Sequence, residues 1–434
     1  MHRYFLFILC FLIINSCVEP IHKSFSKLPP GKWRAILKLD KKLTHSEDNK
    51  EYFEQFDFTG ELPFNFEVNY TDEQSFYINI MNGEERIKLD NITYGRDHST
   101  AKDTIKIDIP IFDSYIKGIF EENIIEGDWF VNYKNGYSIP FKAYYGKDYR
   151  FTTLKEKPIA DVTGRWDVVF EPNKGNKYPA IGEFKQSGNH LTGTFLTETG
   201  DYRYLEGTIQ GDKLKLSTFD GAHAFLFEAK FKGQNNLIGS FRSGKHYKST
   251  WTATRNQNAK INDAFALTTS NIGEQKFDIV FPNLEGKAVT LNDEQFSDKV
   301  KLVKITGTWC PNCKDEALFL KKYLKHNPNK AIEVIEVAFE RYKDQEKAIE
   351  ILKRYKKKLD LPFTILYGGY ANKKENSELF PQISEILSYP TLIFVDKQNI
   401  IRHIHTGFAG PATKDFKKFD KQFNEIIDEM LNNS

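Results

Sequence analysis

Apolar and polar positions along this chain follow two different rhythms. From Gly31 to about Arg255 the period is two: KWRAILKL, SFYINIM, RIKLDNITY, TIKIDIPIF, IIEGDWFVN and SIPFKAYY are short, aromatic or β-branched. Turn dipeptides such as Asn82-Gly83 and Asn135-Gly136 separate them, so antiparallel strands are predicted with no helix between them. The same order then recurs. Gly31-Lys32-Trp33-Arg34 is echoed by Gly164-Arg165-Trp166-Asp167, Asp103–Ile107 by Asp212–Leu216, Phe112-Asp113 by Phe219-Asp220, and Gly127–Phe130 by Gly239-Ser240-Phe241. Two diverged copies of one β module follow, at 31–150 and 158–255, either as two small barrels or as one sandwich. Trp33 and Trp166 stand in alternating strands and are expected to anchor cores. His223 and His246 read as ordinary surface or turn residues.

After a polar stretch at 256–275, read as an interdomain linker, the rhythm changes to alternating strands and 3.6-period helices. Strands are predicted at 277–281, 289–291, 300–305, 332–338 and 363–366, with the glutamates of the fourth marking an exposed edge. Helices are predicted from Cys313, over 343–359 and over 381–387. A hairpin over 391–405 and a helix carrying Phe416, Phe419, Phe423, Ile426, Ile427 and Met430 complete an α/β domain spanning 276–434.

Candidate chemistry lies at the first strand-to-helix junction of this domain, Thr308-Trp309-Cys310-Pro311-Asn312-Cys313. Cys310 falls at the first turn of a helix, where free backbone N–H groups and the helix dipole favour a thiolate, and Pro311 suits that turn because it needs no N–H partner. Cys313 follows one turn on, within reach of a disulfide. Cys310 is the candidate nucleophile and Cys313 the candidate resolving thiol. A zinc half-site needs a second ligand pair, and His403 and His405, two apart on one predicted strand, bring no cysteine with them.

These residues, with Tyr389-Pro390-Thr391 and Gly407-Phe408-Ala409-Gly410-Pro411, resemble the TlpA/ResA-type thiol-disulfide oxidoreductases of the thioredoxin superfamily, in the lipoprotein form with N-terminal β modules. The resemblance covers 276–434. It implies a thioredoxin-like fold, a redox-active Cys310–Cys313 disulfide in place of any cofactor, and a cis Pro390 facing the dithiol. It also implies client contacts at Trp309, Tyr389 and Pro390, and a role for Glu316, the acid of a CxxCxxE pattern. Glu316 either tunes and deprotonates the thiols or is a first-turn acid favourable to the helix dipole. The chain lacks the Phe-Trp-Ala that precedes the motif in many relatives, having Thr306-Gly307-Thr308, so partners of cytochrome-maturation members are not carried over. It also lacks the Pro-x-x-x-Thr-x-x-Cys pattern of peroxidases.

Residues 1–16 carry Arg3 and an apolar run from Tyr4 to Ile14, too short to span a bilayer comfortably and suited to a signal peptide. Ile14-Asn15-Ser16-Cys17 resembles a lipobox, which implies lipidation of Cys17 and a tether over 17–30 from a membrane, the outer more than the inner. With Cys10 removed alongside that peptide, the body holds no structural disulfide, which favours catalysis by the single dithiol. The 61 Lys+Arg against 59 Asp+Glu give no global pull toward nucleic acid. The expected partners are disulfide-bearing or thiol client proteins and an upstream thiol donor. Two functions stay open: a protein-disulfide reductase of the cell envelope, or a binding lipoprotein whose β modules engage a ligand.

Overall fold

The computed structural model describes residues 27–39, 60–171 and 177–432. The expected signal peptide over 1–16 and Cys17 lie outside the described residues. Three main sheets follow one another along the chain. The first comprises β1 (Gly31–Lys38), β2 (Glu61–Tyr70), β3 (Phe76–Asn82), β4 (Glu85–Leu89), β5 (Ile92–Asp97), β6 (Lys102–Ile109), β7 (Ser114–Glu121), β8 (Ile124–Val131) and β9 (Ser138–Tyr145). Its order is β4-β3-β2-β1-β9-β8-β7-β6-β5, so β4 and β5, consecutive in sequence, form its two edges and the sheet stays open. β2 was not foreseen; Pro63 and the acid pair Glu61 and Glu67 blur its alternation.

The second sheet comprises β10 (Gly164–Phe170), β11 (Tyr178–Ser187), β12 (His190–Thr197), β13 (Gly200–Asp201), β14 (Leu205–Gln210), β15 (Lys213–Phe219), β16 (Ala224–Phe231), β17 (Asn236–Ser243) and β18 (Tyr247–Arg255). The order β11-β10-β18-β17-β16-β15-β14-β12 is closed by a β11–β12 pairing, making an eight-stranded barrel with β13 appended to β12. The repeat is visible atom by atom. Gly31 and Gly164 both have positive φ, at 108° and 122°. Trp33 and Trp166, both fully buried, donate their indole N–H to the carbonyl four residues back, Pro29 at 3.2 Å and Val162 at 2.9 Å. Closure of the second copy and opening of the first settle the choice between two barrels and one sandwich in favour of separate sheets. Phe219, Ala222, Ala224 and Leu226 of the second copy nonetheless enter the core of the first.

The expected tether ends inside this structure: Leu28 is fully buried in the first core. Residues 256–275 are likewise no loose linker. Ala264 O accepts from Thr406 N–H at 3.0 Å, Thr268 and Thr406 hydroxyls meet at 2.7 Å, and Ser270 bridges Ile383.

The last sheet runs β23 (Thr364–Tyr370), β22 (Ile332–Glu340), β21 (Val300–Thr306), β24 (Thr391–Val395), β25 (Ile401–Thr406), with β21, β22 and β23 parallel, β24 antiparallel to β21, and β25 antiparallel to β24. Helices are α1 (Pro311–His326), α2 (Gln345–Leu359), α3 (Lys373–Glu378) and α4 (Phe416–Asn432). The short hairpin β19 (Val280–Pro282) and β20 (Ala288–Thr290) precedes the sheet; strand structure begins at Val280 instead of Phe277, since Phe277 is a core plug. Leu302, Val334 and Phe394 share one core with Ala317, Leu352 and Phe423 of three helices, while Val303, Ile335 and Ile393 share another with Phe277, Phe296 and Phe380. Burying a side chain such as Phe423 contributes about 2–3 kcal/mol. Two expectations fail. Residues 381–387 are turn and bridge, not helix; the helix lies earlier, at α3, whose N-cap Asn372 accepts from Lys374 N–H. The glutamates expected at an exposed edge mark none, because β22 lies between β21 and β23: Glu336 is buried, and Glu333 is half-buried and paired with Lys299. Among the described residues no helix is long and apolar enough to cross a membrane.

Candidate active site

β21 is buried along its whole length and delivers the chain to the helix start through Gly307. A Cβ there would lie 2.7 Å from Phe339 O, the atom that accepts the Trp309 indole N–H at 2.9 Å, so glycine lets the indole fold back over the strand end. Cys310 is the N-cap of α1, with extended φ and ψ of −104° and 112° and Pro311 next. Its Sγ accepts from Cys313 N–H at 3.2 Å, which places the sulfur where the helix presents unpaired donors. Both thiols are free; Cys310 keeps 8% exposure and Cys313 none.

The Tyr389–Pro390 bond is cis, as the resemblance implies, and Tyr389 O lies 3.4 Å from Cys310 Sγ. Asn376 donates to the Tyr389 hydroxyl at 2.6 Å, and the Trp309 and Tyr389 rings meet edge to face at 5.4 Å. Trp309, Cys310, Tyr389 and Pro390 are thus brought to one place.

Beneath them lies a buried charge cluster that sequence reasoning missed except for Glu316. Lys304 Nζ donates to Cys313 O at 2.7 Å and to Glu336 Oε1 at 2.8 Å, all in the core. Burial works against its charge, but Glu336, Glu316 and Cys313 outweigh that and hold the ammonium above its usual range. Burial, with Cys310 alongside, pushes the Cys313 thiol well up, while Lys304 and Thr306 pull the other way. Glu316 is fully buried, and neither oxygen has a hydrogen-bond partner among the described residues. Burial and Glu336 push its carboxyl up to about 8 against the pull of Lys304. It stands in the second turn of α1, so its reading as a first-turn acid favourable to the helix dipole is set aside. Glu340, at the end of β22, accepts from Thr308 N–H at 2.9 Å and hydroxyl at 2.8 Å; burial raises it to about 7 against those bonds. Only part of the signal was in the sequence: Lys304 interrupts an apolar strand, while Glu336 is brought opposite it by the parallel register of β21 and β22.

One flank of the dithiol is covered by the barrel. Asn312, between the cysteines, donates to Asp201 O at 3.0 Å and to Phe408 O at 3.4 Å. Ser388 Oγ donates to Thr199 O at 2.9 Å, and Gly410 N–H to Asp201 Oδ2 at 2.9 Å. Arg203, almost fully buried, donates to Pro311 O at 3.2 Å and pairs with Asp315, Glu85 and Asp220.

The result is a thioredoxin-like domain with a cysteine at a helix N-cap after a central strand, a second cysteine one turn on, and a cis-proline loop opposite. Residues 268–422 match the Redoxin family model. The chain is 28% identical over 135 residues to the thioredoxin-like protein YneN of Bacillus subtilis, covering 31% of this chain and 71% of that one. Among solved structures, the thioredoxin domain of a thiol-disulfide oxidoreductase from Bacteroides vulgatus is 21% identical over 36% of this chain and 99% of its own, with a TM-score of 0.27. A thiol-disulfide oxidoreductase from Bacteroides fragilis is 20% identical over 34% and 98%, with a TM-score of 0.26.

Proposed function

We propose that the protein is an exported, lipid-anchored reductase of disulfides in extracytoplasmic proteins. The observation that carries the redox chemistry is the placement of Cys310 Sγ on the Cys313 N–H beside the cis Tyr389–Pro390 bond. The Cys310 thiolate attacks one sulfur of a client disulfide; the new mixed S–S bond forms, the client bond breaks, and its other sulfur leaves as a thiolate that takes up a proton. Cys313 then loses its proton and attacks Cys310 Sγ, closing the Cys310–Cys313 disulfide and releasing the second client thiol. The client gains two electrons, and an upstream thiol donor returns them to the protein.

Burial holds Cys313 as a thiol, which keeps the dithiol reduced until a mixed disulfide forms. Glu316, three residues on in the same helix and raised to about 8, exchanges that proton near neutral pH, with Lys304 steadying whichever of the two is charged. Tyr389 and Pro390 guide the client backbone and Trp309 shelters the sulfurs. The signal peptide and the lipid on Cys17 rest on the sequence pattern of 1–17, and the reducing direction on the family resemblance. Mixed-disulfide trapping tests the reading: Cys313→Ser produced in cells accumulates disulfide-linked clients on Cys310 that reductant releases, and Cys310→Ser does not. Equal trapping by both variants refutes it.

A further inference from the structure

With the barrel turn seated against Asn312 and Ser388, a second feature stands on the Trp309 side. A cavity of about 660 Å³ lies at the junction of both β modules and the redox domain, and Trp309, Arg341 and Tyr370 form its redox-domain wall. The Arg341 guanidinium lies 3.9 Å over the Trp309 ring. From the first module come Tyr137 and Lys134, whose ammonium sits 4.7 Å over the Tyr137 ring; from the second come His223 and His246, the latter edge-on to Tyr137 at 6.1 Å. The two histidines, read from sequence as ordinary surface or turn residues, therefore belong to this wall.

The lining carries four basic side chains and no carboxylate. Lys134 and Arg341 face it and neither forms an ion pair among the described residues, although Glu340 lies within electrostatic reach of Arg341. Of the nearby acids, Asp220 Oδ2 lies 3.5 Å from both Arg203 Nε and His223 Nδ1, so that histidine is already partnered, and Glu340 is bonded to Thr308. Trp129, also on the wall, has a buried indole N–H with no acceptor among the described residues. Aromatic faces beside an ammonium and a guanidinium that form no ion pair complement a ligand bearing both apolar rings and carboxylates.

We infer that this cleft binds an acidic, aromatic-bearing polypeptide segment next to the client's disulfide cysteine, and so selects clients by the sequence beside the bond to be reduced. The inference rests on the reductase reading for its purpose but not for its test. Fluorescently labelled peptides with Phe between Glu or Lys residues, and serine in place of cysteine, report on the cleft by anisotropy with the full chain and without redox chemistry. The acidic peptide should bind at least ~10-fold tighter than the basic one. Salt should weaken the acidic peptide selectively. Lys134→Glu should cancel the preference and Lys134→Gln reduce it. Equal binding of the two peptides, or a preference that survives Lys134→Glu, overturns the cleft. Reduction of neutral bis(2-hydroxyethyl) disulfide, run in parallel, should be the same in all three proteins and verifies that the variants are folded. Its absence in wild type would refute the reductase reading alone and leave the peptide comparison intact.

Discussion

The two β modules begin alike and end by doing different things. Each opens on a positive-φ glycine and a tryptophan whose indole N–H reaches the carbonyl four residues back. In each, the hairpin after the third strand projects toward the next unit of the chain. The β3–β4 turn of the first copy enters the second: Asn82 donates to Phe219 O at 2.9 Å, Gly83 N–H to Glu206 Oε2 at 2.9 Å, and Glu85 pairs with Arg203. The β12–β13 turn of the second copy enters the redox domain, through Thr199 and Asp201. Arg203 touches both contacts at once. One inherited hairpin thus makes two successive couplings, and only the second reaches the dithiol. The lesson is that the scaffold residues were kept through duplication while the turn residues took on position-specific work.

The largest effect is expected at the shared point. Arg203→Ala leaves Glu85, Asp220 and Asp315 without their buried cation and should lower stability by ~3–5 kcal/mol in urea unfolding. A change under 1 kcal/mol would mean that the two couplings are independent.

Next is the charge cluster beneath the second coupling. Glu316 has a folded-state pKa raised to about 8, so the folded protein holds a proton there that the unfolded chain loses from about pH 4.5 upward. Stability from this group is complete below the unfolded value and is lost as pH rises toward 8. Wild type should therefore lose on the order of 3 kcal/mol between pH 5 and 8 relative to Glu316→Gln. Parallel pH profiles for the two proteins would contradict the burial of an ionisable carboxyl.

The turns themselves separate more finely. Gly200 has φ of 129°, and a Cβ there would lie 2.5 Å from Asn312 Nδ2; Gly83, with φ of 54°, has nothing nearer than Thr192 Cγ2 at 3.7 Å. Gly200→Ala should cost ~2–3 kcal/mol and change the alkylation rate of Cys310, while Gly83→Ala should cost ~1 kcal/mol from backbone strain and leave that rate alone. Thermal melts and iodoacetamide kinetics distinguish them. Smallest and most alike should be Trp33→Phe and Trp166→Phe, each losing ~1–2 kcal/mol as one carbonyl loses its donor. Unequal losses would weaken the case for a common module.

Much of this was legible in the chain because it is local. Period-two alternation, the Trp33 and Trp166 echo, and the helix launched at Cys310 depend on neighbours within a few residues, and each is in place. The cis Pro390 came from resemblance, since a cis bond has no local signature beyond the proline. What escaped depends on distant partners. Glu333 and Glu336 looked like an exposed edge because acids in a strand are usually solvated; here Lys304, about thirty residues away, takes Glu336 into the core, and Glu340 beyond the predicted strand is held there by Thr308. The helix expected at 381–387 lost to a bridge from Ser270, in a stretch whose composition suggested a linker. His223 and His246 gained a setting only when three units met. Nothing near Thr199 or Asp201 announces a seat beside a dithiol more than a hundred residues further on.

The covering of one flank matters only if the sulfurs beneath it exchange. Single-turnover reduction of bis(2-hydroxyethyl) disulfide by the reduced full chain, with thiols counted before and after, measures this directly. Wild type should lose two protein thiols per disulfide consumed, Cys313→Ser should stop at a mixed adduct on Cys310, and Cys310→Ser should lose none. Turnover by Cys310→Ser equal to wild type would contradict the assignment of Cys310 and, with it, the proposed reductase.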